Sequence, residues 1–219
     1  MTDFALARRN MVEGQLRPNR VTNAALLAAA ATLPREQFLP DTLRAVAYAD
    51  DDVPLGNGRH LMEPMVLARL IQALQPRETD KALVVAAGPG YGAALLARLV
   101  KSIVAVESDA ALAAAAARNL KGLGLANVEL KTAPMEQGAV EGGPYDIILV
   151  EGAVRQLPQA LVDQMAVGGR LATVVAGPPG ALGTAQLFIK EAGIASARPL
   201  FDAGTPALPG FAPPPRFTF

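Results

Sequence analysis

Residues 84–99, VVAAGPGYGAALLARL, decide the fold class of this chain. An apolar run that is typical of a buried strand breaks at Gly88, Gly90 and Gly92, and the following residues have the composition of a helix. A strand, a glycine turn and a helix in this order open many parallel α/β sheets, whose ligands bind beyond the carboxyl ends of the strands. The turn therefore predicts a binding site, although glycine turns also serve as plain connections between a strand and a helix.

Downstream of this turn, runs typical of strands alternate with runs typical of helices. The strand runs are ALVVAA, SIVAVES, NVELKTA, YDIILVEGA and GRLATVVA, and the helical runs are YGAALLARLV, DAALAAAAARNLKGL and LPQALVDQM. This alternation predicts a parallel sheet covered by helices on both faces. AQLFIKEAG and SARPLFDAG have no clear helix between them, so they predict a closing hairpin that adds an antiparallel strand.

The N-terminal part of the chain predicts helices. They are FALARRNMVEGQL, NAALLAAAATL with Thr22 or Asn23 as N-cap, DTLRAVAYA capped by Asp41, and EPMVLARLIQAL. ADDDVPLGNGRH is rich in turn formers and predicts a loop, and the final PALPGFAPPPRFTF is too rich in proline for regular structure. We expect residues 1–75 to form a helical extension packed on a core of residues 76–219.

Composition excludes several classes of function. Lys plus Arg and Asp plus Glu are 20 each, so no basic excess favours nucleic acid as a partner. The absence of cysteine excludes disulfides, thiol catalysis and zinc held by cysteine. One histidine among scattered acids does not make a transition-metal site. Without a signal peptide or an apolar run of about 20 residues, we expect a cytoplasmic protein with no membrane contact and a monomer as the default.

Glu107 is the second signal for a ligand. It closes the strand run IVAVE about 20 residues after the glycine turn, where an acid can accept hydrogen bonds from both ribose hydroxyls of a nucleoside cofactor. Asp109 better fits the alternative role of an acid at the start of the next helix. The turn matches the dinucleotide pattern G-x-G-x-x-G/A loosely and also suits S-adenosylmethionine, so the turn alone leaves both cofactors open.

Several separate motifs of the chain resemble the protein-L-isoaspartate O-methyltransferase family, from about residue 8 to about residue 175. They are RNMVEGQL, LPREQFLP, AYADDDVPLGNG, EPMVLARLIQAL, GPGYGAALLARL, VAVES, YDIILVEGA and VGGRL, in the order and spacing of that family. The resemblance implies an α/β fold of class I S-adenosylmethionine-dependent methyltransferases, a Rossmann-like sheet of order 3-2-1-4-5-7-6 with an N-terminal helical extension. It also implies methylation of the carboxylate of isoaspartyl residues in damaged proteins.

The chain departs from the pattern of the family at several positions. Met62 stands where the family usually has a serine treated as catalytic, and Val84 stands where its first core strand usually carries an acid. Pro134 and Met135 replace an Asp-Gly pair that contacts the adenine, with Glu136 nearby as a substitute contact. Ala86, a mild change, is the first small residue of the glycine turn.

The neighbours of Met62 offer candidates for its missing hydroxyl. Arg59 and His60 lie in the same predicted loop, where Arg59 can pair with a substrate carboxylate and a neutral imidazole can donate one hydrogen bond; each is also an ordinary solvated loop residue. Glu63 before Pro64 is more simply an acid at the start of a helix, and its negative charge would also repel a carboxylate substrate. Glu151 ends the fourth strand run beside the cofactor cleft, where it contacts substrate or faces solvent.

These observations leave three functions open. The first is methyl transfer from S-adenosylmethionine to a protein carboxylate, the second is a binding protein that keeps the fold without the chemistry, and the third is an NAD-dependent oxidoreductase. Our candidate catalytic residues are Arg59, His60 and Met62. Our candidate cofactor-binding residues are Ala86, Gly88, Gly90, Tyr91, Glu107, Ser108 and Glu151.

Overall fold

The computed structural model describes residues 3–178 and 180–211. Its α-helices are α1 (Phe4–Met11), α2 (Ala24–Thr32), α3 (Pro64–Ala73), α4 (Tyr91–Leu96), α5 (Ala110–Gly122) and α6 (Gln159–Asp163). Its strands are β1 (Val53–Gly56), β2 (Arg59–Leu61), β3 (Lys81–Val85), β4 (Ser102–Glu107), β5 (Val128–Thr132), β6 (Tyr145–Val154), β7 (Met165–Val175), β8 (Gly183–Glu191) and β9 (Ile194–Ala203). The end of the proline-rich tail, 212–219, lies outside the described residues.

The helices predicted for the N-terminal segment form, with two changes of helix type. α1 continues into a π-helix at Val12–Leu16, and the Asn23 side chain caps α2 by accepting a hydrogen bond of 3.0 Å from the Leu26 amide. The third predicted helix is a 3₁₀-helix, Asp41–Val46, whose N-cap is Pro40 with no hydrogen bond from a capping side chain. The prediction of a cap by Asp41 was therefore wrong.

The acidic segment predicted as a loop contains a β-hairpin. β1 and β2 pair antiparallel, and Asn57 and Gly58 between them have φ angles of +51° and +70°. Asn-Gly is a strong signal for a two-residue hairpin turn, because both residues tolerate a positive φ. This hairpin folds onto the glycine turn, where a Cβ atom built on Gly88 would lie 3.9 Å from Cδ1 of Leu55.

The central sheet has seven strands in the order β5-β4-β3-β6-β7-β8-β9. The parallel pairing of β3 through β7 confirms the predicted doubly wound sheet, and β8 and β9 add the predicted antiparallel hairpin. Numbered as core strands one to seven, the order is 3-2-1-4-5-6-7, so the expected 3-2-1-4-5-7-6 was wrong in its last two positions. The connections at 176–182 and 192–193 are too short for anything but adjacent antiparallel strands.

Two apolar layers cover the two faces of the sheet. Side chains alternate along β3, so that Ala82 and Val84 join one buried cluster while Leu83 and Val85 join the other. The first cluster also contains buried residues of α1, α2, α3 and α4. The N-terminal helices thus share a core with the sheet, which holds the segment before α3 against the carboxyl ends of the strands. Within the described residues no helix is long and apolar enough to cross a membrane.

Candidate functional site

The glycine turn joins β3 to α4 with three residues in left-handed conformations. Ala86, Gly88 and Gly90 have φ angles of +60°, +53° and +98°. A Cβ on Gly90 would lie 3.3 Å from Cβ of Ala116, so α5 packs too closely there for a side chain. At Gly88, Leu55 is the only one of the described residues that lies within 4 Å of such an atom, which leaves the backbone open to a ligand if the hairpin moves. The presence of alanine at position 86 is a larger change than the sequence suggests. A residue with a Cβ atom is about 1–2 kcal/mol less stable in a left-handed conformation than in a right-handed one.

Glu107 lies at the carboxyl end of β4, as predicted, and is fully buried. Its Oε1 accepts hydrogen bonds from the backbone amides of Ser108 at 2.9 Å and Asp109 at 3.0 Å. Its Oε2 accepts from the amide of Gly88 and from Nη2 of Arg59, both at 2.7 Å. The predicted ribose acceptor is therefore joined to the glycine turn, but in this structure its oxygens already have protein donors.

Arg59 is buried, in contrast to the two roles that we considered for it in a loop. Only 3% of its side chain is exposed, and besides Glu107 it donates to the carbonyl oxygen of Ala86 at 3.0 Å. Its Nε and Nη1 are buried without a hydrogen-bond partner among the described residues. Arg59 is in β2, and the pairing of β2 with β1 directs the side chain under the hairpin rather than into solvent. It therefore lies at the predicted cofactor site instead of reaching freely toward a substrate.

Glu151 is buried within β6, so it is neither a loop residue nor a residue that faces solvent. Burial raises the pKa of its carboxyl group to about 8; the positive charges of Arg59 and Arg35 lower it and the negative charge of Glu107 raises it. A Cβ atom on Gly92 would lie 2.3 Å from its Oε1, so Gly92 makes room for the carboxyl group. That Oε1 has no hydrogen-bond partner among the described residues, which marks a polar atom directed into the site.

Met62 is also buried, and Arg35, which sequence reasoning missed, fixes its backbone. Nη2 of Arg35 donates to the Met62 carbonyl oxygen at 2.7 Å, and Nε donates to that of Ala47 at 2.6 Å. The Arg35 guanidinium lies 4.8 Å from the centre of the Tyr91 ring. Tyr91 is completely enclosed, so it supports the turn through its ring. The conspicuous LPREQFLP motif was the available signal for Arg35.

A cavity of about 10 Å³ lies between the hairpin, β6 and the C-terminal segment. It is lined by Asp52, Gly58, His60, Met62, Glu151, Gly152, Thr205, Pro206 and Leu208. The structure thus brings His60, Met62 and Glu151 together, with His60 in β2 and half-buried. The cavity holds one water molecule at most, so a substrate needs the surrounding segments to separate.

Asp52, which lines this cavity, belongs to a group of acidic residues. Oδ1 of Asp52 accepts a hydrogen bond of 2.8 Å from the amide of Glu63. Burial and the neighbouring charges of Asp50, Asp52 and Asp51 raise the pKa of Glu63 to about 7. Above neutral pH, Glu63 and these aspartates together oppose the approach of an anionic group.

Of the remaining departures from the family pattern, Val84 and Met135 are buried and Pro134 is exposed. Val84 is fully buried near the carboxyl end of β3, where it supplies no polar atom. Pro134 precedes a short 3₁₀-helix, Met135–Gln137, and Met135 is buried. Within the described residues, no group of three or more histidine or acidic side chains is arranged to hold a metal ion.

Comparison with known proteins assigns the family. The model of the protein-L-isoaspartate(D-aspartate) O-methyltransferase family matches residues 7–196. Protein-L-isoaspartate O-methyltransferase 1 of Rhodopseudomonas palustris is 38% identical over 189 residues, which are 86% of this chain and 76% of that protein. The enzyme of the same name from Methylorubrum populi is 45% identical over 180 residues, which are 82% of this chain and 83% of that protein.

Solved structures agree with the fold. A protein-L-isoaspartate O-methyltransferase superposes with a TM-score of 0.81 at 21% identity, covering 93% of this chain and 67% of that one. A Plasmodium falciparum protein described as a β-aspartate methyltransferase in complex with S-adenosyl-L-homocysteine superposes with a TM-score of 0.74 at 19% identity, covering 96% of this chain and all of that one. Together with the match over residues 7–196, this places the chain in the protein-L-isoaspartate(D-aspartate) O-methyltransferase family.

Proposed function

We propose that this chain is an S-adenosylmethionine-dependent methyltransferase that esterifies the carboxylate of isoaspartyl residues in damaged proteins. The observation that carries the proposal is the buried carboxylate of Glu107, hydrogen-bonded to the amide of Gly88 at the carboxyl end of the parallel sheet. An acid at this place suits the two hydroxyls of a ribose, and the open backbone at Gly88 suits close approach of a cofactor. The names of the relatives support both the cofactor class and the substrate class.

The residues present fit this cofactor on one condition, which is that Arg59 gives up its hydrogen bond to Oε2 of Glu107. Glu107 would then hold the ribose, and the backbone of Ala86, Gly88 and Gly90 would lie along the amino-acid part of the cofactor. Tyr91 and Ser108 would contribute through the backbone that they support. When bound, S-adenosylmethionine supplies an electrophilic methyl group on a positively charged sulfur.

The reaction places modest demands on the protein. An isoaspartyl carboxylate is ionised at neutral pH, so it attacks without a general base: the new C–O bond forms as the S–C bond breaks, and the electron pair stays on sulfur. The protein has to hold the two partners in line and exclude water. Met62 has no hydroxyl to orient the carboxylate, so we propose His60 as the donor within the same cavity and expect a slow reaction.

A binding protein without catalysis is the second candidate, and the buried side chain of Met62 favours it. An oxidoreductase that uses NAD is the third, since the G-x-G-x-x-A pattern of residues 88–93 permits it. We further propose a cytoplasmic monomer that acts on proteins. Nucleic acid is not proposed as a partner, because positive and negative side chains balance.

Calorimetric titration with S-adenosylmethionine, S-adenosylhomocysteine and NAD separates these functions. We expect both sulfur ligands to bind at one site per chain, and NAD to give no heat of binding. Binding of NAD alone would favour the oxidoreductase, and no binding of any ligand would remove the cofactor assignment. Methyl transfer to an isoaspartyl peptide then distinguishes an enzyme from a binding protein.

A further inference from the structure

We infer that Arg59 competes with the ribose of the cofactor for Glu107, so that the cofactor binds only when the hairpin of β1 and β2 releases this arginine. The inference rests on the proposed function, because it needs a cofactor with a ribose. Through this competition Arg59 lowers the affinity of the protein for its cofactor.

The number of hydrogen bonds at Glu107 leads to this inference. An ionised carboxylate offers about four lone-pair directions, two on each oxygen. Ser108 and Asp109 use those of Oε1, and Gly88 and Arg59 use those of Oε2. A ribose hydroxyl therefore has no free acceptor direction at Glu107 until one of the four donors leaves.

Arg59 is the donor that can leave. The other three donors are backbone amides, fixed by the glycine turn and by the start of α5, so they cannot withdraw without unfolding the site. The Arg59 guanidinium uses only Nη2 in its contacts with Glu107 and Ala86, while Nε and Nη1 are buried and find no partner in the part of the chain that the structure describes. A buried guanidinium with two unsatisfied nitrogens gains hydrogen bonds to water or to a ligand when it moves.

The hairpin that carries Arg59 covers the same region. Leu55 lies over Gly88, and Nδ2 of Asn57 donates to Oδ2 of Asp109 at 3.1 Å on the surface. Both contacts span the carboxyl ends of β3 and β4, where the proposed cofactor would run. Opening of the hairpin therefore uncovers the turn and frees Glu107 in one movement.

Titration of S-adenosylhomocysteine into wild type, Arg59→Gln and Arg59→Lys tests the inference. Gln leaves Glu107 with its three amide donors and removes the charge-assisted bond, so we expect a dissociation constant about tenfold lower than that of wild type. Lys keeps a competing cation, so its dissociation constant should stay near that of wild type. Arg170→Gln is the matched control, because it breaks an ion pair of 2.9 Å with Asp80 that is also largely buried but lies at the opposite end of the strands.

The outcomes separate this inference from the proposed function. Binding to Arg59→Gln that is no tighter than to wild type overturns the role of Arg59 and leaves the proposed function intact. Failure of the ligand to bind wild type and all variants overturns both.

Hydrogen exchange of the wild-type protein gives a readout that needs no variant. With S-adenosylhomocysteine bound, we expect faster exchange of the hairpin amides at 55–60 and slower exchange of those at 88–92, because the ligand releases the first segment and covers the second. Hairpin exchange that slows or stays constant on binding contradicts the inference.

Discussion

At the scale of single residues, the buried carboxyl group of Glu151 makes stability depend on pH. Its pKa of about 8 in the folded protein is well above the ordinary value of 4.5 that applies after unfolding. Between these values the folded state keeps a proton that the unfolded state loses, so the free energy of unfolding decreases as pH rises. The contribution of Glu151 to the free energy of unfolding is therefore greatest below about pH 4.5 and is lost as pH rises to about 8.

Glu151→Gln removes this dependence because the amide carries no ionisable proton. We expect the melting temperature of wild type to fall more steeply than that of Glu151→Gln between pH 5 and pH 8.5. Glu191→Gln, at an exposed position at the end of β8, is the control and should follow wild type. Thermal unfolding across this pH range measures the effect, and parallel curves for wild type and Glu151→Gln would contradict it.

Gly92 is the second residue whose role can be tested alone. A methyl group there would lie 2.3 Å from Oε1 of Glu151, a side chain that is itself enclosed, so we expect Gly92→Ala to lower the free energy of unfolding by about 1–3 kcal/mol. Gly122→Ala at the end of α5 meets nothing within 4 Å and should be neutral or slightly stabilising. Urea denaturation of the two variants provides the comparison, and equal stability would show that Glu151 moves aside freely.

At the scale of elements, the segment from β2 to α3 contains the largest departure from the family. Arg35 holds the Met62 carbonyl oxygen, so substitution of the side chain leaves this part of the backbone in place. We expect Met62→Ser to increase methylation of an isoaspartyl peptide by about 10²-fold, the usual effect of one well-placed donor. Met62→Ala controls for the loss of bulk. An equal gain with alanine would show that space, and not the hydroxyl, limits the rate.

Predictability from sequence differs between these elements for physical reasons. The parallel strands and α5 follow from apolar runs and from Asp109, which caps the helix as expected by accepting hydrogen bonds from Ala111 and Leu112. The hairpin of β1 and β2 was not predicted, because its strands are short and contain polar and charged residues in place of an apolar run. The Asn57-Gly58 pair nevertheless signals the turn. The short connections on either side of β8 predict that β7, β8 and β9 are neighbours in this order. The order implied by the resemblance to the family was used instead, and it was wrong here.

The candidate site was predicted less completely than the fold. The turn and the position of Glu107 follow from motif and spacing, which act over short stretches of chain. The ion pair of Arg59 with Glu107 joins residues 48 positions apart and depends on the pairing of β1 with β2. No local sequence pattern therefore predicts it. Burial of Glu151 likewise depends on Gly92 and on the C-terminal segment, where Leu208 lies within 3 Å of a Cβ atom built on Gly152.

At the scale of the whole molecule, two segments of the chain lie over the carboxyl ends of the strands and close the site. The β1–β2 hairpin lies over the glycine turn, and the C-terminal segment pairs with β6 through a hydrogen bond of 2.8 Å from the Leu208 amide to the Ala153 carbonyl oxygen. Between them remains a cavity of only about 10 Å³. We propose that both segments move when substrates bind, and that residues 1–75, which include the β1–β2 hairpin, form an extension packed on a core of residues 76–219.

Transfer of a labelled methyl group from S-adenosylmethionine to an isoaspartyl peptide tests the proposed function most directly. The matched control is a peptide of the same sequence with a normal aspartyl linkage. We expect the wild-type protein to label only the isoaspartyl peptide, at a low rate, and the label to be released as methanol in mild base because the product is an ester. Equal labelling of both peptides, or no labelling while the cofactor is bound, would contradict the assignment of isoaspartyl methylation to this chain.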